Sequence, residues 1–188
     1  MKPLRPLQEV EGYLSIYAVM ERFGYRHTSR AWKKLLFEHH KTLPEVKLRQ
    51  FDGHDGRKGK FIPAIHVKDL DRLILHFESI HWQQDQVTFV RPAVEDVLQV
   101  VAVAFQDHGP EAQTEVDGVK LDLQLRNVRL ALLYQPANLP DGRLPVLTSP
   151  DVLLDGGVRV LSFDPYQDGF TVGQLIFNIR QHVEGKKA

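Results

Sequence analysis

The stretch Thr28-Ser29-Arg30-Ala31-Trp32-Lys33-Lys34-Leu35-Leu36-Phe37-Glu38-His39-His40-Lys41 sorts its side chains onto two sides of a helix. At about 100° per residue, Arg30, Lys33, Lys34, Phe37 and Lys41 share a sector of the helical wheel roughly 100° wide. Trp32, Leu35, Leu36 and His39 lie opposite. A helix that buries one face and shows a stripe of cations to solvent suits a polyanion, nucleic acid first.

Upstream, Ser15 can cap a helix whose apolar residues Ile16, Val19, Met20 and Phe23 recur at helical spacing, and Gly24 ends it. Tyr25-Arg26-His27 is a short connection. Thr28 or Ser29 then caps the striped helix, which stops before Pro44. Two short helices joined in this way make a helix-turn-helix pattern. Downstream, Val46-Lys47-Leu48-Arg49 alternates apolar and cationic residues, as a half-buried strand does. Asp52 to Lys60 is a glycine-rich loop bearing Arg57, Lys58 and Lys60, and Phe61 to Val67 returns as a strand with Pro63 at an edge. Leu70, Leu73, Ile74, Phe77, Ile80 and His81 predict a closing helix. The outline is a winged helix-turn-helix.

Residues 13–82 resemble the N-terminal DNA-binding domains of phage antirepressor-type proteins, the KilA-N and Bro-N group. The helix ending Phe23-Gly24-Tyr25, the Trp32-Lys33-Lys34-Leu35 helix, and the run from Phe61-Ile62-Pro63 through Val67-Lys68-Asp69-Leu70 carry the resemblance. It implies binding of double-stranded DNA, with Arg30, Lys33 and Lys34 near the groove and Arg57, Lys58 and Lys60 on the flanking backbone.

The residues themselves support a division of labour. Cations on a loop tip make phosphate contacts that set affinity without reading sequence. The striped helix offers no Asn or Gln on its cationic face, so base reading would be weak and biased to guanine. Phe37 could stack on an unpaired base, favouring single strands or damaged ends; the commoner fate of such a residue is to be covered by a neighbouring element. The candidate contact set is Arg26, Arg30, Lys33, Lys34, Phe37, Lys41, Lys47, Arg49, Arg57, Lys58 and Lys60. Seven of the nine histidines lie before residue 83, without the spacing of zinc ligands, so no metal site is expected.

The chain has 188 residues with 24 Lys+Arg and 24 Asp+Glu, but the charge is segregated. Residues 1–82 carry 15 basic against 10 acidic side chains, and residues 83–188 carry 9 against 14. Such a split fits one half meeting a polyanion while the other folds, pairs or regulates; chance drift of surface charge is the alternative. With no cysteine, disulfides, thiol catalysis and cysteine-based zinc sites are excluded. No apolar run approaches the roughly 18 to 20 residues that cross a bilayer, and Met1 to Pro6 lacks a secretory apolar segment. A cytoplasmic protein is expected, nucleoid-associated if bacterial.

In the acidic half, Pro92 opens a helix that buries Val94, Val97, Leu98, Val101, Ala104 and Phe105 and ends at Gly109-Pro110. Thr114 to Val116 turns at Asp117-Gly118 into Val119 to Leu125. Val128 to Tyr134 is apolar enough for a central strand. A loop from Gln135 to Gly157, a strand from Val158 to Phe163 and a helix capped by Thr171 complete the order. That order is similar to the core of PD-(D/E)xK nucleases. The resemblance implies a metal-holding Asp at the Asp122 position and a Glu-x-Lys on the next strand, near Leu133 and Gln135, where neither an acid nor a lysine stands. It therefore implies a nuclease-like fold without hydrolysis.

The sequence thus predicts an α+β chain: a winged helix-turn-helix over 1–82 and a nuclease-like α/β domain with a central mixed sheet over 83–188. The expected function is non-enzymatic DNA binding in transcription control or DNA repair, as a homodimer, with no cofactor and no membrane partner. Two alternatives stay open: a metal-dependent endonuclease using Asp122, and a protein-interaction adaptor that does not bind DNA.

Overall fold

Glu11 and Gly12, with φ of 52° and 80°, reverse the chain between β1 (Glu9–Val10) and β2 (Tyr13–Ser15). Two successive positive φ angles mark the tight hairpin turn whose usual signal is Asn-Gly or Asp-Gly. Glutamate in the first position hides it from the sequence. The computed structural model describes residues 4–52, 57–78, 88–136, 151–154 and 156–185.

The next segments follow their periodicity. Ser15 caps α1 (Ile16–Arg22), its hydroxyl accepting from the Ala18 N–H at 3.3 Å, and Gly24 leaves the helix at φ 87°. The striped segment forms α2 (Thr28–His39). Its cap differs from expectation. Thr28 is already helical and buried, and its hydroxyl accepts from Arg5 Nη1 at 3.2 Å instead of capping. The first helical turn closes on the His27 carbonyl, which takes the Arg30 and Ala31 N–H groups at 3.0 and 2.9 Å.

β3 (Val46–Asp52) and β4 (Lys58–His66) pair antiparallel, and the first sheet has the order β1-β2-β4-β3. β4 is an inner strand, not the edge strand that Pro63 predicts; Pro63 is tolerated because β2 reaches only Ala64 to His66 of β4, so that side of β4 needs no N–H donor at Pro63. The closing helix is shorter than predicted: α3 spans Leu70–Ile74 and a turn follows. Phe77 is buried as expected, but the Glu78 N–H leaves the helical ladder to reach the Tyr25 hydroxyl at 3.1 Å. Ile80 and His81 lie outside the described residues, as does the tip of the glycine-rich loop at 53–56.

The rest of the chain builds α4 (Val94–Ala104), β5 (Pro110–Val116), β6 (Val119–Leu125), β7 (Leu130–Tyr134), β8 (Asp151–Leu153), β9 (Arg159–Phe163) and α5 (Val172–Gly185). The second sheet is mixed, with order β5-β6-β7-β9-β8 and one parallel pair, β7 with β9. β7 is central and buried from Leu130 to Leu133, as its apolar run predicts. Asp117 and Gly118 make the β5–β6 turn with positive φ at both residues. Three boundaries move. β5 begins at Pro110 and not Thr114, β7 begins after a left-handed Arg129, and the predicted Gln135–Gly157 loop contains β8.

Residues from both halves of the chain form one buried cluster, from Leu14 in β2 to Val183 in α5. The two halves thus carry separate sheets but share one core. The join is close. Tyr25 bridges Phe89, the Val90 N–H donates to the Gly24 carbonyl at 2.7 Å, and Arg22 pairs with Asp96 at 3.2 Å. Gly173 of α5 sits against the Ile74 and Leu75 carbonyls that end α3, close enough that a Cβ would meet them at 3.1 to 3.2 Å.

Candidate nucleic-acid interface

Trp32 and Leu35 turn into the core, which fixes the rotation of α2 and leaves Arg30, Lys33, Lys34, Phe37 and Lys41 outside. Among the described residues Arg30, Lys33 and Lys41 make no ion pair, so their charge is available to a ligand. Phe37 is 85% exposed. The cover that such a residue commonly finds is absent among the described residues. Leu36, expected inside, is 44% exposed.

Lys34 differs from its neighbours. Its ammonium forms an ion pair with the Glu78 carboxylate, which belongs to the segment after α3. The same segment closes one side of a cavity of about 350 Å³ lined by Tyr25, His27, Arg30, Lys34, Glu78 and Phe89, among others. Burial pushes the Tyr25 phenol well above its ordinary range, against the opposing effect of the Glu78 backbone hydrogen bond. Tyr25 is therefore an uncharged structural acceptor. Arg26 is exposed just before α2, and its backbone N–H is fixed by the Thr88 carbonyl at 2.8 Å.

The hairpin divides its chemistry by face, as the alternation of Val46 to Arg49 predicts, but the apolar face is not fully covered. Register sets Val46 opposite Ile65, Leu48 opposite Pro63 and Gln50 opposite Phe61, all on the face that carries Leu14 and Ile65 into the core. Beyond the helices this face runs into solvent, leaving Leu48 60% and Phe61 63% exposed. Lys47 and Arg49 occupy the other face. There the Arg49 guanidinium lies 4.7 Å and the Lys47 ammonium 5.7 Å from the centre of the Tyr13 ring. Glu11 approaches Arg49 at 3.5 Å and Glu45 approaches Lys47 at 3.6 Å. The Tyr13 hydroxyl, followed by Glu45, holds the Lys47 ammonium above its usual pKa. Arg57, Lys58 and Lys60 are exposed along the start of β4 and just before it.

Of the predicted contact set, Arg30, Lys33, Phe37 and Lys41 thus form one open face. Lys34, Lys47 and Arg49 are engaged within the protein. Tyr13, Glu78 and Phe61 were missed because each acts through a partner distant in sequence.

Asp122 is half-buried on β6, and its Oδ2 accepts the Tyr134 backbone N–H at 2.6 Å, closing the β6–β7 ladder where the strands diverge. Across from it, Gln113 of β5 adopts φ 52° and drops out of the ladder. Among the described residues no group of three or more His, Asp or Glu side chains comes together to hold a metal. No helix among them is long and apolar enough to cross a membrane. Comparison with protein-family models, curated proteins and solved structures gives no match.

Proposed function

We propose that this chain is a non-enzymatic DNA-binding protein that acts as a homodimer in transcription control or DNA repair. In this reading α1 and α2 are the helix-turn-helix, β3 and β4 the wing, and the five-stranded half a nuclease-like fold kept for pairing or regulation. The observation that carries the reading is a set of exposed cations, Arg30 and Lys33 on α2 and Lys41 just past its end, none of which is in an ion pair among the described residues. Residues 22–60 carry 11 basic against 4 acidic side chains, which favours a polyanionic partner for this part of the chain. Asp122 supports the non-enzymatic part, since one of its oxygens already satisfies a backbone N–H.

Counterion release provides the test. Each phosphate neutralised adds about 0.9 to the slope of log affinity against log salt on duplex DNA. The triple substitution Arg30→Ala, Lys33→Ala, Lys41→Ala should weaken binding and reduce that slope by up to about 2.7. Fluorescence anisotropy across a salt series measures both. A triple variant that binds with the wild-type slope would place the DNA elsewhere, and a wild type that ignores DNA at low salt would end the reading.

A further inference from the structure

Two phenylalanines, Phe37 on α2 and Phe61 on β4, stand in water within the basic half, and each is accompanied by cations. Phe37 has Lys33 one turn before it on α2, and Lys41 follows just past the end of that helix; Phe61 lies on the strand that opens with the exposed Lys58, while its neighbour Lys60 points to the opposite face. They lie on the same side of the first sheet. Phe61 is on the face that carries Leu14 and Ile65 into the cluster shared with the helices, and α2 packs Trp32 and Leu35 into that cluster. An exposed aromatic ring keeps its hydration cost unless its ligand offers an apolar π-face. The cations say what else the ligand carries, which is repeated negative charge. A second copy docked on this face through a two-fold axis would set these cations against their own equivalents. Stacked duplex hides the base faces, and this helix face offers no Asn or Gln to read base edges in a groove. A single strand presents phosphates and open base faces together.

We propose that the DNA held here is single-stranded, with unstacked bases seated on Phe37 and Phe61 while Arg30, Lys33, Lys41 and Lys58 take the phosphates. The inference rests on the DNA-binding reading and adds the state of the strand. It gives the protein a preference for gaps, tails or melted segments over intact duplex. It also separates two roles on one surface: the rings set the strand preference and the cations set the salt dependence.

The test uses the full chain, a labelled poly-dT oligonucleotide and a duplex of equal length, with Phe37→Ala, Phe61→Ala and the double variant. Both rings are exposed, so the variants should fold, and circular dichroism checks that they do. Each substitution should weaken single-strand binding by roughly 5- to 150-fold, leave duplex affinity alone and leave the salt slope unchanged. A strand carrying 2-aminopurine should be quenched on binding wild type and less quenched by the double variant. Equal losses on single strand and duplex would overturn the proposal in favour of a wedge inserted into duplex. Unchanged binding by both single variants and the double variant would overturn it while leaving the DNA-binding reading intact. Loss confined to anionic phospholipid vesicles, with no binding of either nucleic acid, would overturn both and assign the face to a membrane surface.

Discussion

At the scale of single residues, a side chain's partner decides its role, and partners distant in sequence are invisible in local patterns. The alternation Val46-Lys47-Leu48-Arg49 correctly signals a strand and the facing of its residues, but not their exposure: Leu48 lies on the core-side face yet in solvent, and Arg49 on the other face is half-buried. Tyr13, more than thirty positions away, supplies the ring on which Arg49 rests. His39 and His76 illustrate the same dependence. Their rings lie 4.9 Å apart, joining the end of α2 to the turn after α3. Burial first, and then the charge of His39, lowers the His76 pKa below its ordinary value of 6.5, against a hydrogen bond to the Thr42 backbone. Between the lowered folded value and 6.5, the unfolded chain binds more protons than the folded one. Stability therefore falls as pH drops through that window and is fully retained above it. Thermal melts from about pH 7.5 down to about pH 5.5 should show a falling midpoint, and His76→Gln should flatten the fall. A variant whose profile superimposes on wild type would remove the pair from the account.

At the scale of elements, helices were legible wherever a full apolar stripe was present. Ile16, Val19 and Met20 define α1, and Val172, Leu175, Ile176 and Ile179 define α5, where the Thr171 hydroxyl accepts the Gln174 N–H at 2.8 Å as predicted. Ends were less legible because tertiary contacts set them. The extension of α3 past Ile74 is prevented by the bond from Glu78 to Tyr25, which no periodicity reports. Gly24 was read as a helix stop, yet it has a second duty. A Cβ added there would lie 2.0 Å from the Val90 carbonyl oxygen, with the backbone held at φ 87°. The left-handed conformation alone costs an L-residue about 1–2 kcal/mol, and the overlap with backbone adds to it. Gly24→Ala should therefore lower unfolding free energy by more than about 2 kcal/mol in urea titrations. A loss of only about 1–2 kcal/mol, the left-handed conformation alone, would mean that the segment around Val90 is free to retreat.

For the whole molecule, the charge split was plain in the sequence while the shared core was not, since periodicity shows that a helix has a buried stripe without showing what it faces. α4 and α5 bury theirs partly against α1 and α3 of the basic half, and Arg180 of α5 reaches Asp71 of α3 at 3.5 Å. Desolvation raises the Asp71 pKa although Arg180 opposes it, so this contact lies in a partly dehydrated joint. Cutting the chain at residue 82 would expose Phe23, Tyr25, Ile74 and Phe77 to water, and each buried side chain of this kind is worth about 1.5–3 kcal/mol. A domain of ordinary stability has only about 5–15 kcal/mol to lose. The intact chain should accordingly unfold in one transition, with calorimetric and van't Hoff enthalpies in agreement. A fragment of residues 1–82 should show no cooperative melt and should bind a hydrophobic dye. Two separated transitions in the intact protein, or a fragment that melts sharply, would show that the basic half supports itself. The rotation of α2 that aims Arg30, Lys33 and Phe37 depends on a core to which the acidic half contributes, so, under the proposed DNA-binding reading, loss of that half should abolish binding although none of the proposed contacts lies in it.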